Sequence, residues 1–124
     1  MCQPEAAFNL SKAAQTVNPD DQNVKHLNTR LQWQKDNRNR GLNFVPLNLQ
    51  KLQIATFTDS SFANNKDLLS QIGYIITLTD GHKANILHWL STKCRRVTRS
   101  VLASELYAFA YGFDMAVAIK LTLY

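Results

Sequence analysis

The chain is poor in cysteine: Cys2 and Cys94 are its only two, far apart and without CxxC or histidine-paired spacing, so neither a disulfide framework nor a zinc site is readable. A reducing, intracellular compartment, cytoplasmic or nuclear, is the expectation. The N-terminus has no basic segment leading into an apolar one. The longest hydrophobic stretch, towards the C-terminus, is interrupted by Asp114 and Lys120, so neither secretion nor membrane insertion is expected. Internal repeats and low-complexity tracts are absent as well, which removes solenoids and prion-like segments. His26, His82 and His88 lack metal-ligand spacing; His88, between Leu87 and Trp89, reads as a strand residue with a local partner. Negative charge is also scarce. Nine Asp and Glu stand against fourteen Lys and Arg, a formal net charge of +5, which favours a polyanionic partner through phosphate neutralisation and counterion release.

What is present is a folding sequence. Its 124 residues are 45% hydrophobic and 19% charged, enough for one modest core but not for two full domains. Pro4 and Glu5 open a short helix over residues 4–16, with Ala6, Phe8, Leu10, Ala13 and Ala14 in a loose helical pattern. Asn18 as N-cap, Pro19 at the first helical position and Asp20 and Asp21 in the first turn predict a second helix through Val24, Leu27 and Leu31, ending near Arg40 at Gly41. Residues 42–51, with Pro46, read as an extended connector.

Beyond the connector the period changes from helical to two-fold. Leu52 to Ser60 alternates, with Ile54, Thr56 and Thr58 on one side and Ala55, Phe57 and Asp59 on the other, which puts Asp59 at a strand's C-terminal end. A polar loop with Asn64-Asn65 precedes a β-branched strand, Ile72 to Thr79; Asp80-Gly81 turns the chain into a third, Ile86 to Leu90. Lys93, Arg95, Arg96 and Arg99 form a basic connection. Leu102, Leu106, Phe109, Phe113 and Val117 then recur at steps of three and four, predicting a long helix from Ser100 that covers one face of the sheet. The fold class is α+β: two N-terminal helices (1–41), a linker (42–51), and a three-stranded antiparallel meander followed by a long helix (52–124).

Two acids stand apart from the other seven because the pattern sets them beside the core. Asp59 follows an apolar strand and Glu105 lies in the first turns of the helix that packs on it. Neighbouring carboxylates repel unless a cation lies between them, and a hard divalent ion such as Mg²⁺ suits that donor type. Two metals about 3.5–4 Å apart hydrolyse phosphodiesters by activating water and stabilising the leaving oxygen.

Thr58-Asp59-Ser60-Ser61, the following Gly73-Tyr74 strand and Ser104-Glu105-Leu106-Tyr107-Ala108 resemble the ribonuclease H domains of reverse-transcribing elements. Pro4-Glu5-Ala6, the Asn18-Pro19 helix start and Leu31 to Gly41 are similar to the stretch that joins reverse transcriptase to ribonuclease H in copia-like LTR retrotransposon polyproteins. The resemblance covers nearly the whole chain. It implies a partial ribonuclease H-like fold after the last helices of a reverse transcriptase, Asp59 and Glu105 as catalytic Mg²⁺ ligands, and RNA in RNA–DNA hybrids as substrate. Family members carry a further catalytic Asp on a fourth strand and another nearer the C-terminus. This sequence ends before either and reads as truncated at that end, and Asp114, on the same helix as Glu105, does not replace them.

Each motif also has a plainer reading. Asp59 alone is an acid capping the turn after its strand, and Glu105 alone is a first-turn acid facing the helix dipole. The cluster Lys93, Arg95, Arg96 and Arg99 is either a solvated loop or a set of phosphate contacts to a hybrid. Trp33, Trp89, Phe109 and Phe113 are expected in cores rather than stacked on bases. The expected state is a hybrid-directed fragment with little catalysis; the alternatives are a noncatalytic nucleic-acid binder, or a chain whose long helix completes its core on another copy.

Overall fold

The computed structural model describes residues 3–63 and 68–123; Cys2, the turn pair Asn64-Asn65 and Tyr124 lie outside the described residues. The chain divides into two compact units, Met1–Leu42 and Asn43–Tyr124.

The first unit is helical. A 3₁₀ turn at Pro4–Ala6 runs into α1, Ala7–Ala14. The second helix, α2, spans Asp21–Asp36 and is capped by Asp20 rather than Asn18. Asp20 holds extended backbone, and its carboxylate accepts from the Asn23 backbone N–H at 2.7 Å and from Asn23 Nδ2. Asp20 is the residue whose side chain reaches the first turn, and its charge serves the positive helix end better than a neutral amide does. The helix also stops short of Gly41. Asn37 turns its backbone N–H (3.0 Å) and its Nδ2 (2.8 Å) onto the Trp33 carbonyl, so the chain is capped four residues early. Neither α1 nor α2 fully buries a residue. Trp33 is half-buried, with the Arg30 guanidinium 4.4 Å from its ring centroid.

The second unit is α+β. Strands β1 (Gln53–Ser61), β2 (Gln71–Thr79) and β3 (Ala84–Lys93) form an antiparallel sheet in the order β1-β2-β3, and α3 (Val101–Leu123) follows. Register is regular between β1 and β2, while β3 carries a bulge: Ile76 faces His88 but Thr77 faces Ile86, leaving Leu87 unpaired. The connector is tied to this sheet. Val45 and Asn85 exchange two hydrogen bonds at 2.8 Å. The Asn48 N–H reaches Asp80 Oδ2 at 3.0 Å, and the N–H groups of His82 and Lys83 reach Oδ1 at 3.0 and 2.9 Å. These three donors hold the Asp80 carboxyl well below the usual carboxylate range.

The core lies between α3 and the β1–β2 part of the sheet. Ile72, Tyr74 and Ile76 are buried along one face of β2, and full burial of each isoleucine contributes roughly 1.5–3 kcal/mol. Burial also raises the Tyr74 phenol above its ordinary value, and its ring stacks on His88 at 5.6 Å. That ring is the local partner expected for His88, whose buried Nδ1 has no hydrogen bond.

The helix face that meets the sheet is not the predicted one. Ser104, Ala108 and Gly112 are its buried residues. Leu102, Leu106, Phe109, Phe113 and Val117, the stripe expected to cover the sheet, are all exposed. The reason is distance. A Cβ on Gly112 would lie 2.6 Å from the Thr58 methyl, 3.1 Å from the Thr56 methyl and 3.2 Å from Tyr74 Cβ. The threonines already fill the space beneath the helix, and only a side with almost no side chain fits there. Phe109 and Phe113 are therefore not core residues; they stack on each other outside, centroids 5.8 Å apart.

Candidate functional site

Asp59 and Glu105 come from different elements, and a hydrogen bond between their sequence neighbours fixes where they sit. Ser60 on β1 and Ser104 on α3 are joined Oγ to Oγ at 2.8 Å, and Ser104 Oγ donates onward to the Val101 carbonyl at 2.7 Å. Ser104 has one hydroxyl proton and spends it on Val101, so Ser60 is the donor in the link between strand and helix. The bond ties the turn of α3 that precedes Glu105 to the strand position that follows Asp59.

The two carboxylates do not face each other across that contact. Thr56, Thr58 and Ser60 point towards α3, so strand alternation turns Phe57 and Asp59 to the opposite face of the sheet. Asp59 is exposed, opposite Gly73 in the register and two residues before the end of β1, and its Oδ1 accepts from the Ser60 N–H at 2.9 Å. Glu105 is half-buried in the second turn of α3. Asp114 is exposed and lies about 14 Å farther along the helix at ~1.5 Å per residue. Among the described residues no three His, Cys, Asp or Glu side chains gather into a group that could hold a metal. Asp59 and Glu105 have the oxygen donors that Mg²⁺ prefers, but two carboxylates are fewer than a two-metal centre uses.

The basic residues lie at the same end of the sheet. The register sets Asp59, Gly73 and Ser91 in one row across the strands and Ser61, Gln71 and Lys93 in a row two residues on. Lys93 is the half-buried last residue of β3 rather than part of the loop. Beyond it two buried residues anchor the connection. The Cys94 N–H donates to the Ser70 carbonyl at 2.8 Å, and Thr98 Oγ1 is 2.7 Å from Ser70 Oγ. Arg95, Arg96 and Arg99 are left exposed, with the Arg96 guanidinium 5.9 Å from the Tyr107 ring centroid. The two pins restrain the backbone from which the three exposed cations project, so less backbone ordering is left to lose on binding.

No protein-family model, curated protein or solved structure matches the chain. Its function is therefore argued from this site.

The anchors Ser60, Ser70, Thr98 and Ser104 were missed by a reading that looked for charged groups. Of these only Ser104 carried a signal: Ser104, Ala108 and Gly112 are small residues at four-residue steps along one side of the helix. Trp89 is half-buried on β3 in the same row as exposed Phe57 and Ile75.

Proposed function

We propose that the chain is a ribonuclease H-like fragment of a retrotransposon polyprotein that engages RNA–DNA hybrid, with Asp59 and Glu105 retained at the positions of Mg²⁺ ligands. The observation that carries this reading is the Ser60–Ser104 hydrogen bond at 2.8 Å. It couples the strand segment Thr58-Asp59-Ser60-Ser61 to the helix segment Ser104-Glu105-Leu106, the two stretches on which the resemblance rests. The order of three antiparallel strands and then a helix agrees with it. Asp59 and Glu105 offer the oxygen donors that Mg²⁺ prefers, and the ion would supply charge neutralisation at the scissile phosphate.

Two carboxylates make a weak site, so hybrid cleavage by this chain is expected to be at or near background. Binding is the activity to measure first. A labelled RNA–DNA hybrid titrated with the chain, with and without Mg²⁺, should bind, and Asp59→Asn with Glu105→Gln should abolish any Mg²⁺-dependent part of that binding and any cleavage. Cleavage that survives both substitutions removes these residues from the site.

A noncatalytic nucleic-acid binder is the second reading, favoured by the outward set of Arg95, Arg96 and Arg99 at the edge of the sheet. In that case affinity falls steeply with salt, is indifferent to Mg²⁺ and does not prefer hybrid over duplex.

A further inference from the structure

The outward face of α3 carries more exposed apolar surface than any other element described. Leu102 is 69% exposed, Leu106 59%, Phe109 57%, Phe113 54% and Leu121 74%, with Val117 at 38%. With large side chains presenting ~150–250 Å² each when free, the strip offers on the order of 600 Å². That is at the upper end of what a lone soluble chain leaves uncovered. We infer that this face pairs with the same face of a second copy of the chain, the two α3 helices running antiparallel.

Three observations select that occupant. The first is area: two such strips face to face bury about 1,200 Å², which reaches the range of specific interfaces. The second is shape. Phe109, Phe113, Val117 and Leu121 form one continuous ridge at four-residue steps, with Leu102 and Leu106 starting the adjacent one. Two identical helices whose four-step ridges interdigitate make the commonest helix-packing class. The third is the sequence of the strip, which complements itself when reversed. Antiparallel pairing about a two-fold axis near residues 111 and 112 sets Leu102 level with Leu121 of the other copy, Leu106 with Val117, and Phe109 with Phe113. The same pairing brings Lys120, the cation on this face, to the level of the other copy's first turns, where Glu105 lies.

Lipid is the competing occupant, since α3 has the length and composition to cross a membrane. A second copy is favoured because the opposite side of the helix, Ser104, Ala108 and Gly112, is already seated on the sheet. Hydrocarbon therefore cannot surround this helix. The pairing is independent of any nucleic-acid function.

Sedimentation equilibrium of the full chain tests it. A species of twice the chain mass is expected at micromolar concentration. Phe109→Lys with Phe113→Lys should weaken the association at least about a hundredfold while leaving the far-UV circular dichroism unchanged, because both side chains are more than half exposed and the helix is seated through Ser104, Ala108 and Gly112. In a Cys2→Ser background, Leu102→Cys combined with Leu121→Cys should oxidise to a cross-linked pair of chains, and Leu102→Cys alone should not. A folded monomer at all concentrations overturns the inference. So do assemblies of no fixed mass, a dimer indifferent to the two lysines, self-linking through Leu102→Cys alone, or a monomer that associates only with phosphatidylcholine vesicles.

Discussion

Gly112 and Asp80 are the two residues on which the second unit depends in opposite ways, one through having no side chain and the other through its charge. Gly112→Ala adds a methyl that must displace the Thr58 side chain from 2.6 Å. Overpacking typically costs about 1–3 kcal/mol, and the gain in helix propensity returns only about 1. A net loss of roughly 1 kcal/mol in urea denaturation is expected, and a stabilised variant would show that the helix moves off the sheet freely. The Asp80 carboxyl is depressed by three backbone donors. Its contribution is thus present above the unfolded carboxylate value, about 4, and is lost as pH falls through the lower folded one. Asp80→Asn should be less stable than the parent at neutral pH, with the difference shrinking below about pH 4. A difference that persists undiminished in acid would assign the effect to shape rather than charge. Asp80-Gly81 was legible as a turn, because that dipeptide acts locally. That Asp80 also holds the connector through Asn48 was not, since nothing in the sequence relates two positions 32 residues apart.

Among the elements, the strands were readable because their signal lies within each strand. β-branched runs with period two gave β1, β2 and β3 to within a few residues, and the change of period at the connector gave the start of the sheet. Helix ends were less readable, for two neighbouring candidates can cap one end: Asp20 outcompeted Asn18, and Asn37 stopped α2 ahead of Gly41. The facing of α3 was misread for a different reason. Hydrophobic periodicity identifies a side that avoids water in a finished fold, and it was assigned to the sheet although Thr56 and Thr58 leave no depth there. Charged side chains were likewise easier to find than the hydroxyls that place them. Ser104→Ala should lower stability by about 0.5–1.5 kcal/mol through the lost link to Ser60, and should reduce any Mg²⁺-dependent hybrid binding while sparing the salt-dependent part. Loss of both together would mean that the helix N-terminus had simply unfolded. Converting Arg95, Arg96 and Arg99 to Gln should flatten the slope of log affinity against log salt by up to about 0.9 per phosphate contact removed. An unchanged slope would locate phosphate binding elsewhere.

For the molecule as a whole, stability should be distributed unevenly between the units. In the first, α1 and α2 bury no residue fully, and the exposed Glu5–Arg40 ion pair at 2.8 Å adds at most about 1 kcal/mol. The second has the buried row Ile72, Tyr74 and Ile76 on its central strand. Hydrogen exchange should therefore find the amides of β2 protected long after those of α2 have exchanged. Equal protection in the two units would mean that they open as one. The net charge of +5 was legible at a glance, whereas the outward placement of Arg95, Arg96 and Arg99 depends on two buried residues, Cys94 and Thr98, that composition does not mark.

The small side of α3 also has a genetic consequence. Saturating the helix with substitutions should write two opposite rules onto opposite sides of the same turns. At 104, 108 and 112 tolerance should track side-chain volume, with the hydroxyl at 104 adding its bond to Ser60. At 106, 109 and 113 size should be free, and polarity should decide between a lone chain and an assembled one. A variant library sorted first for folding and then for mass would separate the rules, and would report which side of the helix selection has been guarding.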